Sequence, residues 1–223
     1  MLFRSTLNGG NGTDTLVATG NVNFKLTNSS LSGLGSDSLS GFEIANLTGG
    51  ADSNSFDVSG WTGSASISGG TGTPTSLLGN TDAIVVSKDV NFTLTNSSLQ
   101  TSDGVSISLS GITKATLTGG GGDNTFNLTG WTGSGKISGG AGNDTLTLTR
   151  DADITLAPTT LASPGYGTMS LSAIDVANLT GGSSNNVFTL NNWLGSGTLV
   201  GGGGSDTLVA KYTATNEIGR AHV

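Results

Sequence analysis

The 223-residue chain contains 38 Gly but only 3 Pro, no Cys and a single His. Such a composition disfavours helices at almost every position. A formal net charge of −7 with only 8 Lys+Arg argues against a nucleic-acid-binding surface. The absence of Cys excludes a disulfide framework, a thiolate zinc site and a cysteine nucleophile.

The two ends of the chain differ from its interior. No apolar run approaches the roughly 20 residues that span a bilayer, and residues 1–6 lack a secretory signal. A repeat pattern is under way at Leu7, so we expect the native N-terminus upstream. Residues 217–223, which include His222, break the pattern and resemble the translation of a sequencing adapter. We therefore predict one solenoid fragment over residues 1–216 and a non-native tail over 217–223.

A long repeat organises the interior of the chain. The three tryptophans follow equivalent sequences and lie 70 and 62 residues apart: Trp61, Trp131 and Trp193. Each is preceded by an Ala-x-Leu-Thr-Gly-Gly segment that begins at Ala45, Ala115 or Ala177. Internal repeats of this kind indicate a repetitive architecture.

A shorter period of about 20 residues lies within the long repeat. Small residues that we interpret as coil corners recur at Gly9, Ser29, Gly49, Gly69, Ser97, Gly119, Gly139, Thr159, Gly181 and Gly201. One step is 28 residues long and predicts an insert loop at about 73–82. The spacing predicts about ten units.

Each unit contains short runs of alternating apolar residues, as in 125–129 and 145–149. Period-two alternation indicates β-strands, and a unit this small buries its apolar face only against its neighbours. We therefore predict an all-β fold, a right-handed parallel β-helix (β-solenoid) of about ten coils of ~20 residues. A Greek-key sandwich is the alternative, but it gives no reason for regular corners and should be rich in hairpin turns such as Asn-Gly.

Three corners carry the sequence Gly-Gly-x-Gly-x-Asp-Thr-Leu, at 9–16, 139–146 and 201–208. This motif resembles the RTX (hemolysin-type) calcium-binding repeat. The resemblance implies glycine turns whose carbonyls face Ca²⁺ and an aspartate that supplies a carboxylate. The fullest ligand set would come from Asp123, Asn124 and Asp144, with Asp14 and Asp206 as single ligands elsewhere; any Ca²⁺ would be weakly bound.

The motif departs from the RTX pattern in two ways. It occurs once in about three coils instead of in tandem, and neighbouring corners carry Asn54, Asn124 and Asn186 at the aspartate position. The alternative interpretation is that these Asp and Asn side chains cap turns by bonding to the backbone.

The remaining residues suggest core packing more than chemistry. We expect the tryptophans and Phe56, Phe126 and Phe188 to fill the core, and we predict no catalytic residue. Some β-helix enzymes cleave polysaccharides with clustered acids and bases. The candidates here are Asp151 and Asp153 beside Arg150, and Asp82 and Asp89 near Lys88.

The whole pattern resembles the β-strand-repeat adhesins and RTX-like exoproteins of bacteria. This resemblance implies a structural or adhesive segment of a large secreted or cell-surface protein, hence an extracellular location. The expected partners are a host or matrix surface, either polysaccharide or protein, and adjoining coils of the parent protein. The alternatives are a calcium-dependent folding module and a carbohydrate-active β-helix enzyme.

Overall fold

The computed structural model describes residues 5–71 and 81–213, and these residues form β-strands without a helix. In a typical strand, Leu146 and Leu148 are buried while the alternating threonines at 145, 147 and 149 face outward. The all-β prediction is confirmed. Residues 72–80, which include most of the predicted insert, and the predicted tail at 217–223 lie outside the described residues.

The described strands are short and regularly spaced along the chain. In chain order they are β1 Thr6–Asn8, β2 Thr15–Thr19, β3 Phe24–Thr27, β4 Ser30–Ser32, β5 Ser36–Ser40, β6 Ile44–Thr48, β7 Ser55–Gly60, β8 Ser64–Ser68, β9 Asp82–Ser87, β10 Phe92–Leu94, β11 Ser98–Thr101, β12 Ser106–Ser110, β13 Ile112–Thr118, β14 Thr125–Asn127, β15 Ser134–Ser138, β16 Thr145–Thr149, β17 Ile154–Ala157, β18 Thr160–Ala162, β19 Met169–Ser172, β20 Val176–Thr180, β21 Val187–Asn191, β22 Ser196–Val200 and β23 Thr207–Lys211.

The strands form two sheets. The larger sheet has the order β1-β5-β4-β3-β7-β9-β13-β15-β19-β18-β17-β21-β23, and the smaller sheet has the order β2-β6-β8-β12-β11-β10-β14-β16-β20-β22. Outside three local exceptions, the chain passes from one sheet to the other and back, and neighbouring strands are parallel. We call the turns from the larger to the smaller sheet the first edge, and the return turns the second edge.

The pairing register confirms the 20-residue period within the parallel stretches. Thr125 pairs with Thr145, and Val176 pairs with Ser196. Each coil therefore consists of one strand from each sheet. Parallel stacking in two sheets is the arrangement of a β-solenoid.

Three antiparallel meanders interrupt the coils: β3–β5, β10–β12 and β17–β19. The predicted coil corners Ser29, Ser97 and Thr159 lie in the first hairpin turns of these meanders, so their interpretation as coil corners is wrong. Across a meander, the parallel partner of a residue is more than 30 positions away: Phe24 pairs with Phe56, Phe92 with Phe126 and Ala65 with Ile107.

A side-chain hydroxyl closes two of these hairpins without an Asn-Gly sequence. The N–H of Ser29 donates to Thr27 Oγ1 at 3.2 Å, and the N–H of Ser98 donates to Thr95 Oγ1 at 3.0 Å. Ser and Thr side chains can replace a backbone group in a tight turn in this way. In the third hairpin, Pro158 enters the turn with a fixed φ.

Because of the meanders, equivalent strands of successive long repeats lie in different sheets. Each repeat has seven strands, and its three meander strands lie in the same sheet: β3–β5 in the larger, β10–β12 in the smaller and β17–β19 in the larger. Equivalent residues therefore alternate between the two edges. Trp61 and Trp193 follow strands of the larger sheet, whereas Trp131 follows a strand of the smaller sheet.

Inward-facing side chains from both sheets form one continuous core. The three tryptophans are buried, as are Phe56, Phe126 and Phe188, in agreement with prediction. Phenylalanines in neighbouring coils stack: the ring centres of Phe24 and Phe56 are 5.6 Å apart, and those of Phe92 and Phe126 are 5.2 Å apart. Such offset stacking adds to the free energy gained by burial.

Replacing Phe126 with Ala should lower the free energy of unfolding by about 3–5 kcal/mol, because the substitution leaves a cavity and removes a stacking partner. Urea denaturation measures the change. Val17→Ala is the control, since Val17 is 68% exposed and its loss should change stability by no more than about 0.5 kcal/mol. Equal effects would contradict the assigned core.

Candidate functional site

Close approach of neighbouring coils explains the Gly-Gly pairs at the corners. A Cβ on Gly119 would lie 2.2 Å from the carbonyl oxygen of Gly139, and one on Gly140 would lie 2.2 Å from that of Gly120. Gly140 also has a φ of 110°, which side-chain-bearing residues rarely adopt. Close backbone packing and positive φ angles therefore account for glycine at these corner positions.

In the central repeat, a polar side chain that follows the pair Gly119-Gly120 connects three coils. Asn124 is 3% exposed. Its Oδ1 accepts a hydrogen bond from Gly120 N at 2.8 Å, and its Nδ2 donates to Asp89 Oδ1 at 3.0 Å. Its own N–H donates to Asp144 Oδ1 at 2.8 Å. We call this series of Asp89, Asn124 and Asp144 a corner ladder.

The same ladder occurs in the other two repeats. In the first, Asn54 Nδ2 donates to Asn21 Oδ1 at 3.3 Å, and Asn54 N donates to Asp82 Oδ1 at 2.7 Å. In the third repeat, Asn186 Nδ2 donates to Asp151 Oδ1 at 3.3 Å, and Asn186 N donates to Asp206 Oδ1 at 2.9 Å. Because the repeats exchange sheets, the central ladder lies on the first edge and the other two lie on the second.

The predicted site residues fall into separate groups. Asp123, Asn124 and Asp144 come together, and Asp123 Oδ1 accepts a hydrogen bond from Asn143 N at 2.8 Å. Asp14 lies on the same edge in a distant coil, where its N–H donates to Glu43 Oε2 at 2.9 Å. Asp206 lies on the second edge. The five residues therefore do not form a common centre.

The contacts of Asn124 and Asp123 bear on the choice between calcium ligands and turn caps. Within residues 5–71 and 81–213, no group of three or more His, Cys, Asp or Glu side chains is placed to hold a metal. Ca²⁺ takes six to eight oxygen ligands, whereas Asn124 Oδ1 and Asp123 Oδ1 each accept a backbone N–H. Their contacts are those of turn caps.

The outer members of the central ladder differ in proton affinity. The hydrogen bond from the Asn124 side chain lowers the pKa of Asp89, which lies at the surface. Burial raises the pKa of Asp144, against the effect of the bond from Asn124 N–H. Nearby carboxylates add to that rise: Asp175, Asp123 and Asp89.

A cationic side chain occupies one equivalent position in two repeats. Lys88 Nζ donates to Trp61 O at 2.9 Å and pairs with Asp103 Oδ2 at 3.0 Å. Arg150 Nη2 donates to Trp131 O at 2.6 Å. Both cations therefore fasten the turn that carries a tryptophan.

The acids considered for polysaccharide cleavage also contact backbone. Asp151 Oδ1 accepts from Ser184 N at 3.1 Å, and Asp153 Oδ1 accepts from Val187 N at 2.8 Å. Hydrogen bonds from Ser184 and its neighbours lower the pKa of Asp151.

Sequence reasoning missed two acidic residues at the corners, Glu43 and Asp175, and considered Asp89 and Asp151 only for polysaccharide cleavage. Asp89 and Asp151 were missed as ladder members because a meander moves the stacking partner of a corner by more than 30 residues. A weak repeat could have revealed them, since an Asp or Asn begins the similar segments 21–24, 89–92 and 151–154.

Comparisons with models of known protein families, with curated proteins and with solved structures found no match to this chain. No helix in the described part of the chain is long and apolar enough to cross a membrane. The chain's own three repeats are therefore the basis for comparing equivalent residues.

Gly119→Ala should lower the free energy of unfolding by about 1–3 kcal/mol, because the added methyl group meets backbone that cannot move away. Thermal and urea unfolding measure the loss. Gly121→Ala is a matched control in the same corner, since a Cβ there meets nothing within 4 Å. If both substitutions are tolerated equally, the close corner packing is wrong.

Proposed function

We propose that this chain is a structural and adhesive repeat segment of a large secreted or cell-surface bacterial protein. The observation that carries the proposal is the corner ladder. In all three repeats the buried corner asparagine finds its hydrogen-bond partners in neighbouring coils. Such coils support one another without an added ion, which suits a stiff spacer.

The dimensions of the sheets support a rod. At the usual spacing of about 4.8 Å between strands, the 13 strands of the larger sheet extend about 60 Å. We assign a right-handed parallel β-helix of about ten coils, because crossovers between parallel strands are right-handed in nearly all proteins.

The two long faces of the rod differ in charge. The ten strands of the smaller sheet contain no Asp, Glu, Lys or Arg, and most of their outward-facing side chains are Ser, Thr and Asn. The larger sheet carries lysines, including Lys114 and Lys136. An uncharged hydroxyl and amide surface favours a neutral, hydroxyl-rich polymer, so a matrix polysaccharide is the proposed partner of the smaller sheet.

The exposed coil formed by β22 and β23 favours adjoining coils of a parent protein as further partners. Strands β22 and β23 are largely exposed, in contrast to earlier strands. A cavity of about 140 Å³ opens there, with Leu156, Trp193, Leu199 and Tyr212 in its lining. In earlier repeats, the next coil covers the equivalent apolar residues.

The whole chain should show a β-type circular dichroism spectrum in EDTA and the same melting temperature after addition of millimolar calcium. The physical reason is that ladder oxygens such as Asn124 Oδ1, Asp144 Oδ1 and Asp206 Oδ1 already accept backbone hydrogen bonds. A chain that is disordered in EDTA and folds with calcium would instead establish the calcium-dependent folding module.

A charge placed on the smaller sheet should weaken polysaccharide binding. Thr147→Asp should reduce retention on a panel of insoluble cellulose, chitin and cross-linked dextran about tenfold, because a carboxylate must be desolvated against a neutral partner. Thr116→Asp, on the larger sheet, is the matched control and should bind as the unmodified chain does. Absence of binding by the unmodified chain, or equal loss in both variants, would contradict this role.

A further inference from the structure

The outward side chains of the smaller sheet lie in rows that run along the rod. The pairing register of β14, β16, β20 and β22 places equivalent outward-facing residues side by side in successive coils. Except for two valines, the members of these rows carry a hydroxyl or an amide group. The rows comprise Thr125, Thr145, Val176 and Ser196; Asn127, Thr147, Asn178 and Thr198; and Thr149, Thr180 and Val200.

Rows of this kind form a regular two-dimensional array. Neighbouring strands are about 4.8 Å apart, and alternate residues of one strand are about 6.8 Å apart. A second array of the same kind lies on β6, β8 and β12. Strands β10 and β11 lie between the two arrays, and both arrays belong to the same sheet. The second array contains the rows Asn46, Ser66 and Ser108, and Thr48, Ser68 and Ser110.

Hydrogen bonds between coils hold some of these side chains in place. Asn178 Oδ1 accepts from Thr198 N at 3.1 Å and from Thr198 Oγ1 at 2.9 Å. Thr129 Oγ1 accepts from Thr149 N at 3.0 Å. Threonine is also β-branched, which restricts its χ1 angle before any partner is bound. A partner of this face therefore meets side chains that have little conformational freedom left to lose.

The face of the smaller sheet differs from a binding site for a single sugar chain. The aromatic residues of its strands, Phe92 and Phe126, are buried, so their rings do not form a stacking platform for sugars. Sites for small ligands are concave and enclose most of the ligand, whereas the outward residues of a sheet form an open face. A flexible chain on such a face would lose conformational freedom in return for few contacts.

We propose that the smaller sheet binds the ordered face of a crystalline, neutral polysaccharide of extended chains, such as cellulose or chitin, and does not bind isolated chains of the same sugar. This inference rests on the proposed polysaccharide-binding role of that sheet. Chains in a crystal have already lost their conformational freedom, so simultaneous contact with many rows adds affinity without that cost.

The chemistry of the two surfaces is complementary. Hydroxyl groups both donate and accept hydrogen bonds, and so does the amide group of asparagine, so the rows can bond to the hydroxyls of a sugar crystal. Because the ten strands of the smaller sheet contain no Asp, Glu, Lys or Arg, this contact does not require a charged side chain to lose its water. Binding should therefore depend little on salt concentration.

The test compares binding of the whole chain to microcrystalline cellulose, crystalline chitin and acid-swollen amorphous cellulose at equal accessible surface area. The Kd should be about tenfold lower on a crystalline solid than on the amorphous one, because only the crystal engages several rows at once. Millimolar cellohexaose should not compete.

Variants of one strand test the array itself. Replacing Thr145, Thr147 and Thr149 together with Val removes three hydroxyls but keeps the β-branched shape, and it should weaken binding to the crystalline solid about tenfold. The corresponding triple Ser variant keeps the hydroxyls and should bind as the unmodified chain does. Thr116→Val with Thr118→Val, on the larger sheet, is the matched control and should not change binding. Circular dichroism and melting temperature check that each variant is folded.

Several results would overturn the inference. Equal affinity for crystalline and amorphous cellulose, or competition by cellohexaose, would contradict it while leaving the polysaccharide-binding role intact. Absence of binding to every polysaccharide would contradict both the inference and that role. Full binding by the triple Val variant would place the contact outside the array. Capture of the chain by growing ice, but not by a crystalline polysaccharide, would show that the array orders water instead.

Discussion

The close approach of backbones at the coil corners is the constraint on which the structure depends. Parallel coils bring each corner against the next, so that only glycine fits at positions such as Gly119 and Gly140. The same approach removes water from the corner N–H groups, which then need acceptors within the protein. The ladder asparagines supply them, and Asn124 alone connects three coils. Corner glycines and corner amides are two consequences of one geometry.

The meanders extend this constraint into an alternating architecture. Each repeat has seven strands, and its three meander strands lie in one sheet while the other strands alternate between sheets. The next repeat therefore begins in the other sheet, and successive corner ladders lie on opposite edges. The contact between a meander and the preceding turn varies in chemistry. Gly20 packs against Leu34 in the first repeat, Lys88 pairs with Asp103 in the second, and the Arg150 guanidinium lies 3.7 Å from the centre of the Tyr166 ring in the third. An apolar contact, an ion pair and a cation–π contact therefore occupy the same position in the three repeats.

The features predictable from the sequence were those that recur in every coil. Alternation identified strands such as β16, and the spacing of glycines identified the 20-residue register. The meanders were not predictable, because the hydroxyl of Thr27 or Thr95 closes their turns and such residues are abundant throughout the chain. The 20-residue period predicted that Asp123, Asn124 and Asp144 lie close together, as they do. The contact between Asn124 and Asp89 crosses a meander, so a fixed 20-residue period does not predict it. The motif that suggested ligand chemistry contains glycines that close packing or a positive φ also explains.

Hydrogen exchange tests the central claim, that side chains of neighbouring coils satisfy the corners, most directly. The backbone amides of Asn54, Asn124 and Asn186, each bonded to an aspartate of the next coil, should be measured by NMR in EDTA. We predict strong protection of all three amides, comparable to that of core strand amides such as that of Leu117. Rapid exchange of these amides in EDTA, with protection only after calcium is added, would contradict it.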